Sequence, residues 1–277
     1  MRIAVIGHVE HVTIGRTEGA LVAGDIVHFD DPAVIAGGGG GIAFFQLTKS
    51  DADVHLFTAF GIDEAAVFVY DAVARTGATI HAALRTTTHT RDIVAVTPDG
   101  ERTIFVVGEP LHAKRDDRLS WDILPTCDAV YFTGQDPDVL ADARTAKLLV
   151  VTARRAQALA ASGVTADIVV GSATDPRETS KLSDYAHPPR ALVMTEGGHG
   201  GYVETASGVS RFEAAPAPSP IVGRYGAGDT FAAALTWYAA RGLPLEDACA
   251  RATTHAAAVL AGINPLNHQL PLTYPDA

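Results

Sequence analysis

Short runs of apolar, β-branched residues alternate along this chain with segments of helical character, and this alternation limits the fold more than any other feature. The first run, Arg2 to Gly7, ends in glycine as a buried strand often does. Further apolar runs predict strands at 54–59, 129–133, 147–152, 168–171 and 191–195. Strands that alternate with helices form a mostly parallel sheet covered by helices on both faces. The pattern therefore predicts an α/β fold.

Two segments predict a small antiparallel appendage. Residues 12–35 alternate irregularly, and Leu21 to Phe29 suggests short strands separated by glycine. Residues 91–107 contain two alternating runs around an Asp99-Gly100 turn, which predicts a β-hairpin. Helices are predicted at 65–75, 245–252 and 254–261. Such an appendage would be well placed to act as a lid, or to pair with a second subunit through an exposed edge.

Composition excludes several classes of protein. The net charge of -11 argues against nucleic-acid binding, because such proteins are usually basic. Cys127 and Cys249 lie far apart, so a disulfide framework or a zinc site is not expected. There is no signal-peptide pattern at the N-terminus, and no apolar run reaches the roughly 18 residues that a membrane span needs. We expect one cytoplasmic domain over residues 1–277, without nucleic-acid or membrane partners.

The stretch from Gly223 to Phe231 joins a tight glycine turn, an acid and the start of a helix. A helix N-terminus presents free N–H groups and partial positive charge, and glycine lets an anion approach closely. Asp229 would lie beside that anion and could act as a general base. The alternative is an ordinary turn in which Asp229 caps the helix.

Two more glycine-rich loops suggest a ligand with several anionic groups. Gly37 to Gly41 precedes an apolar helix, and Glu196 to Gly201 follows a predicted strand, where it could cradle phosphate or form a hairpin turn. A P-loop motif is absent from the sequence. Gly38-x-Gly40-x-x-Ala43 formally matches a dinucleotide fingerprint, but it does not follow the first strand, so we interpret the match as coincidental.

Phosphoryl transfer needs charge neutralisation and a base for the acceptor hydroxyl, and the turn before Asp229 could supply both. Magnesium would be expected, with Asp175 as a candidate to order it through water. Glu10 and His11 follow the first strand, where ligands gather in α/β sheets, although solvated loop residues would look the same.

The order of these segments resembles the ribokinase-like (PfkB) family of carbohydrate and nucleoside kinases over nearly the whole chain. Gly226-Ala227-Gly228-Asp229 is similar to the anion-hole and catalytic-base signature of that family. Supporting matches are the N-terminal glycine run, Gly61-x-Asp63, Asp99-Gly100-Glu101-Arg102-Thr103 and Thr195-x-Gly197-x-x-Gly200.

The resemblance implies a three-layer α/β/α sandwich with a small β-lid formed by residues 12–35 and 91–107, and it implies ATP and Mg²⁺ as cofactors. Asp229 would be the base, and the backbone of Gly226, Ala227 and Gly228 would stabilise the transferred phosphoryl group. The ATP-binding candidates are Thr195, Gly197, Gly200, Arg224, His255 and Ala258, and the substrate-binding candidates are Glu10, His11, Gly38, Gly39, Gly40 and Gly41.

The chain departs from the family pattern around this centre. Gly223-Arg224 replaces the usual acid and threonine, and Ser172-x-x-Asp175 replaces Asn-x-x-Glu. The asparagine that reads sugar hydroxyls is replaced by Gly41 or Ile42. The leading expectation is an ATP-dependent kinase of a sugar-like hydroxyl, and a homodimer through the lid is a further hypothesis. The alternatives are a nucleotide or sugar sensor of the same fold and, less favoured, a dinucleotide-binding oxidoreductase.

Overall fold

The structure, a computed structural model, describes residues 1–274. The strands are β1 (Arg2–Ile6), β2 (Glu10–Arg16), β3 (Asp30–Gly37), β4 (Asp53–Phe60), β5 (Thr79–Leu84), β6 (Arg91–Val96), β7 (Arg102–Val107), β8 (Ala129–Phe132), β9 (Leu149–Thr152), β10 (Ile168–Ser172), β11 (Ala191–Thr195), β12 (Gly201–Thr205) and β13 (Gly208–Phe212). The helices are α1 (Gly38–Leu47), α2 (Glu64–Ala74), α3 (Pro137–Ala143), α4 (Ala156–Ser162), α5 (Ala227–Ala240) and α6 (Leu245–Ala258). Short 3-10 turns connect several of these elements.

A nine-stranded sheet runs through the centre in the order β13-β12-β11-β10-β9-β8-β1-β4-β5. Its strands are parallel from β10 and β11 through to β5, and only β12 and β13 are added antiparallel. One apolar core packs α1, α2, α5 and α6 against one face, and a second core packs α3 and α4 against the other. The predicted α/β/α architecture is confirmed.

A second, four-stranded sheet has the order β3-β2-β6-β7, and we refer to it as the small sheet. It begins directly beyond the end of β1, because β2 starts at Glu10. A third apolar cluster joins its strands to Ile42 of α1 and to Tyr225, which precedes α5. The small sheet therefore stands over the carboxyl ends of the central strands, where α/β proteins bind ligands.

Three sequence-based assignments are corrected. Leu21 to Phe29, predicted as short strands, forms none and is mostly exposed, because no neighbouring strand pairs with it. The helices predicted at 245–252 and 254–261 are largely one helix, α6, in which Thr253 Oγ1 donates to the Ala250 carbonyl at 2.7 Å. The strand β5 was not predicted, and it pairs with β4 at the sheet edge.

Within residues 1–274, no helix is both long enough and apolar enough to cross a membrane.

Candidate active site

The N-terminus of α5 is open and carries an acid in its first turn. Gly226 precedes the helix with a φ of +77°, a conformation that favours glycine. The Thr230 N–H donates to the Gly226 carbonyl at 2.9 Å, so the N–H groups before it have no helical acceptor. Among the described residues, no side chain caps this end of the helix. This helix N-terminus can bind an anion, because Asp229 does not cap it.

Asp229 is placed and charged as a general base would be. Burial raises the pKa of its carboxyl group to about 6, and the nearby negative charge of Glu178 adds to the effect. A carboxylate with this pKa is mostly ionised at pH 7, yet it is a stronger base than an ordinary aspartate. The residue is only half-buried, so a ligand can still reach it.

The glycine run at the start of α1 closes the other side of the site. A Cβ atom on Gly39 would lie 3.1 Å from Asp229 Oδ1, 3.5 Å from Thr133 Oγ1 and 3.7 Å from His8 Cε1. Residues that follow β1 and β8 therefore meet residues of α1 and α5 at the Gly39 α-carbon. A side chain at Gly39 would require the carboxyl group of Asp229 to shift.

Most backbone N–H groups of the same run already have partners. Gly38 N donates to the Tyr225 hydroxyl at 3.0 Å, Gly39 N to His8 Nε2 at 3.3 Å, and Gly41 N to the His8 carbonyl at 3.1 Å. A Cβ on Gly40 would lie 2.6 Å from that carbonyl. The run thus holds α1 tightly against the end of β1, which explains its glycines without a ligand. It also follows β3 of the small sheet, so the context of a dinucleotide fingerprint is absent.

Glu10 and His11 separate because neighbouring strand residues point to opposite faces. Glu10 is 4% exposed, lies 3.7 Å from His8 and contacts the carboxyl group of Asp92. Burial, reinforced by Asp92, holds the pKa of Glu10 well above its ordinary value. His11 instead packs edge-on against Phe68 of α2. Glu10 joins the site and His11 does not.

Asp175 and its neighbourhood form a charged network. Asp175 Oδ2 accepts from Arg154 at 2.6 Å, and its Oδ1 accepts from the backbone of Arg177 at 2.9 Å. Glu178 accepts from Ser172 N at 2.9 Å and also pairs with Arg154. Glu178 was not predicted from the sequence, because the Ser172-x-x-Asp175 pattern points to the acid three residues after Ser172 and Glu178 lies six residues after it. Glu178, rather than Asp175, is the acid whose charge reaches Asp229.

The predicted ATP-binding residues are spread over several environments. Thr195 ends β11 and donates to the Gly171 carbonyl at 3.3 Å. Gly197 has open space where a side chain would project, whereas a Cβ on Gly200 would lie 2.0 Å from the Phe212 carbonyl. Since Thr195 pairs with Gly201 in antiparallel register, this loop is a hairpin turn with one open face.

Arg224 and His255 are engaged by other residues of the protein. Arg224 Nε lies 2.9 Å from Glu101 Oε1, and its backbone N–H donates to the Gly100 carbonyl, so it ties the small sheet to the segment before α5. His255 is 4% exposed and lies 3.1 Å from the Tyr238 hydroxyl, and burial lowers its pKa to about 4. Ala258 ends α6 and is half-buried.

Several residues at the site were not found from the sequence. His8 and Thr133 each follow a central strand, the position at which Glu10 was sought, so strand ends were an available signal. His112 and Tyr225 lie in loops, and Arg155 lies in the short 3-10 turn before α4, so local sequence does not indicate which residues they contact.

Comparison with known proteins gives a family match over the C-terminal part of the chain. Residues 165–268, from just before β10 to beyond α6, match the family described as pfkB family carbohydrate kinase. The comparison with curated protein sequences finds no significant match.

Among solved structures, the chain is similar to a protein assigned as a ribokinase from Agrobacterium tumefaciens, with 18% identity, a TM-score of 0.80 and coverage of 97% of this chain and 94% of the other. It is also similar to adenosine kinase from Sinorhizobium meliloti, with 17% identity, a TM-score of 0.77 and 95% coverage of each chain. Arabidopsis thaliana ribokinase, solved with ribose and ATP, has 16% identity, a TM-score of 0.72 and coverage of 97% and 95%. The predicted resemblance to the ribokinase-like (PfkB) family is confirmed by the family match at 165–268 and by the fold of the whole chain.

Proposed function

We propose that this protein is an ATP-dependent kinase that phosphorylates a hydroxyl of a sugar or sugar-like small molecule. One observation carries the proposal: a carboxyl group with a pKa of about 6 lies beside an uncapped helix N-terminus and opposite Gly39. Asp229 would take the proton of the acceptor hydroxyl as it attacks the γ-phosphorus. The free N–H groups at Gly226 to Gly228 would stabilise the charge on the transferred group.

We propose ATP and Mg²⁺ as the cofactors, as the resemblance to the family implies. Mg²⁺ usually keeps several waters and binds through one or two carboxylates together with substrate phosphates, so it needs no cage of protein ligands. Within residues 1–274, no three His, Cys, Asp or Glu side chains lie together in a way that could hold a metal ion. Glu178, the acid whose charge reaches Asp229, is the candidate for a water-mediated role, although it pairs with Arg154 as Asp175 does. The similarity to a ribokinase solved with ATP supports ATP as the phosphoryl donor. ATP would lie toward β10 and β11, beside the glycine loop that follows β11.

A replacement of Asp229 by Asn tests the base. We expect turnover on an accepted substrate to fall by about 100-fold or more, because an amide cannot accept the proton, while nucleotide binding is kept. A screen of sugars, sugar phosphates and nucleosides with Mg-ATP supplies the substrate. In the unaltered enzyme, kcat/KM should decline below pH 6, roughly tenfold per unit, as Asp229 becomes protonated.

The matched control is Asp71→Asn, which removes an exposed carboxyl group on α2. Unchanged turnover in Asp229→Asn would contradict the assignment of Asp229 as the base. So would a partly active Asp229→Asn variant whose kcat/KM still declines below pH 6.

A sensor without catalysis is the second candidate, and the engagement of Asp175 by Arg154 and Arg177 favours it. A sensor would bind nucleotide or sugar, measured as a rise in melting temperature, but would consume no ATP with any acceptor in the screen.

A further inference from the structure

Arg155 is a half-buried cation that forms no ion pair with the described residues. It follows β9 and forms the N-cap position of α4. Its Nε donates to the Thr133 carbonyl at 2.9 Å. Within residues 1–274, no carboxylate lies within ion-pair distance of its guanidinium, and its two terminal nitrogens have no hydrogen-bond partner.

Arg154, the preceding residue, does have carboxylate partners, so the lack of one is specific to Arg155. Arg154 binds both Asp175 and Glu178 on the side of β10, where the nucleotide would lie. Arg155 faces the other way, toward Thr133, whose hydroxyl lies near Gly39. The Arg155 side chain is half-buried, and burial is the main cause that lowers its pKa. A partly desolvated guanidinium is stabilised by an anion that compensates its charge.

Two buried imidazoles beside Arg155 also lack partners. His112 is 7% exposed, and neither ring nitrogen finds a hydrogen bond among the described residues. Its ring packs edge-on against His8 at 5.0 Å, and Nδ1 of His8 is likewise unsatisfied. Burial and the Arg155 charge lower the pKa of His112 to about 3, so the ring is neutral and retains one N–H donor. Buried polar groups without partners indicate a ligand that supplies them.

Space for such a ligand adjoins His112. A cavity of about 540 Å³ is lined by His112, Thr87, Lys114 and Gln135, among others. Gln135 lies two residues after Thr133, so the cavity opens beyond the end of β8. Its lining also carries three acids: Asp136 accepts from backbone N–H groups, and Glu109 and Asp138 are exposed. Glu10, whose charge acts on Arg155, is bonded to Asp92.

We propose that the acceptor substrate carries a negatively charged group, a carboxylate or a phosphate, which Arg155 binds through its two terminal nitrogens while His112 and His8 donate further hydrogen bonds. Guanidinium groups bind both anions in a bidentate manner. This inference rests on the proposed function, because it assigns the substrate class of the same site.

Binding of matched ligands in the absence of nucleotide tests the proposal. Titration calorimetry would compare neutral aldoses with the corresponding aldonic acids and sugar phosphates. We expect at least one anionic series to bind about tenfold more tightly than its neutral partner, a difference of about 1.4 kcal/mol. Arg155→Met should remove the preference, Arg155→Lys should keep part of it, and Arg75→Met, at an exposed site on α2, should leave it intact. The aldonate and phosphate arms decide between the two anions.

The ratio of affinities within one variant is insensitive to partial loss of folded protein. An equal fall in turnover on neutral and anionic acceptors, with unchanged nucleotide-free binding, would mean that Arg155 serves the transferred phosphoryl group and would overturn the proposal. Binding of neutral sugars alone, or of no anionic ligand, would also overturn it. Phosphorylation of a neutral acceptor alone would leave the kinase assignment standing, whereas anion binding without phosphoryl transfer would contradict the kinase assignment only.

Discussion

At the scale of single residues, Asp229 illustrates how surroundings determine the chemistry of a side chain. Its sequence neighbours are small and uncharged, and none of them accounts for a raised pKa. Burial and the charge of Glu178 raise the pKa, while Arg154 and Arg102 keep it from rising further. A base suited to neutral pH therefore results from residues on β7, on the turn after β9 and in the loop after β10.

The raised pKa of Asp229 has a consequence for stability. The folded state binds the proton more tightly than the unfolded chain, whose aspartate has a pKa of 3.8. The free energy of unfolding therefore falls as pH rises from about 4 to about 6, and the full cost remains at higher pH. We expect Asp229→Asn to be more stable than the unaltered protein at pH 8, by about 1–3 kcal/mol.

Urea unfolding at pH 8 and at pH 4 measures this difference. The difference should be small at pH 4, where Asp229 is protonated in the folded state and about two-fifths protonated in the unfolded chain. Equal stability at pH 8 would show that the carboxylate is well compensated in the folded protein.

At the scale of elements, the glycine run of α1 leaves space for the Asp229 side chain and also allows close contact with the backbone after β1. Two substitutions can separate these two effects. In Gly39→Ala the new Cβ would meet the side chain of Asp229, and in Gly40→Ala it would meet the backbone of His8 and Gly7. Alanine improves helix propensity equally at both positions. The two variants therefore differ only in what the methyl group contacts.

We expect Gly39→Ala to fold with little loss of stability but to lose turnover by about tenfold or more, because the carboxylate of Asp229 must shift. Gly40→Ala should instead lose about 1–3 kcal/mol of stability, since backbone atoms cannot move aside easily. Urea unfolding and steady-state kinetics on both proteins distinguish these effects. Normal turnover in Gly39→Ala would show that Asp229 does not work in the position described.

At the scale of the whole molecule, the small sheet leaves one edge unprotected. All six residues of β7 are exposed, and the apolar ones include Ile104 at 41% and Phe105 at 50%. Edge strands with this composition pair readily with another chain. We propose that two copies associate through β7, as the sequence-based hypothesis of a lid dimer suggests.

Light scattering on Phe105→Asp tests the association. We expect a dimer for the unaltered protein and a monomer for the variant, because a buried carboxylate would oppose pairing. Val209→Lys is the control, since Val209 is 65% exposed on β13 at the edge of the central sheet. A monomeric unaltered protein would contradict the proposal.

Local pattern was sufficient for much of the architecture. Strands such as β1, β8 and β11 are apolar runs that are buried on both faces, so their composition identifies them. The pattern failed for Leu21 to Phe29, where apolar residues without a pairing partner stay exposed. It also failed to indicate β5, a strand of half-buried residues at the sheet edge.

What the sequence by itself determined is the α/β class and the glycine turn from Gly226 to Asp229 at the start of a helix. These are properties of contiguous residues, so they can be read along the chain. Tertiary structure alone decided which side chains surround Asp229. It placed Glu178 near Asp229, packed His11 against Phe68 and His255 against Tyr238, and left Arg155 without an ion-pair partner among the described residues. Such positions depend on contacts between residues far apart in sequence, and local pattern carries no information about them.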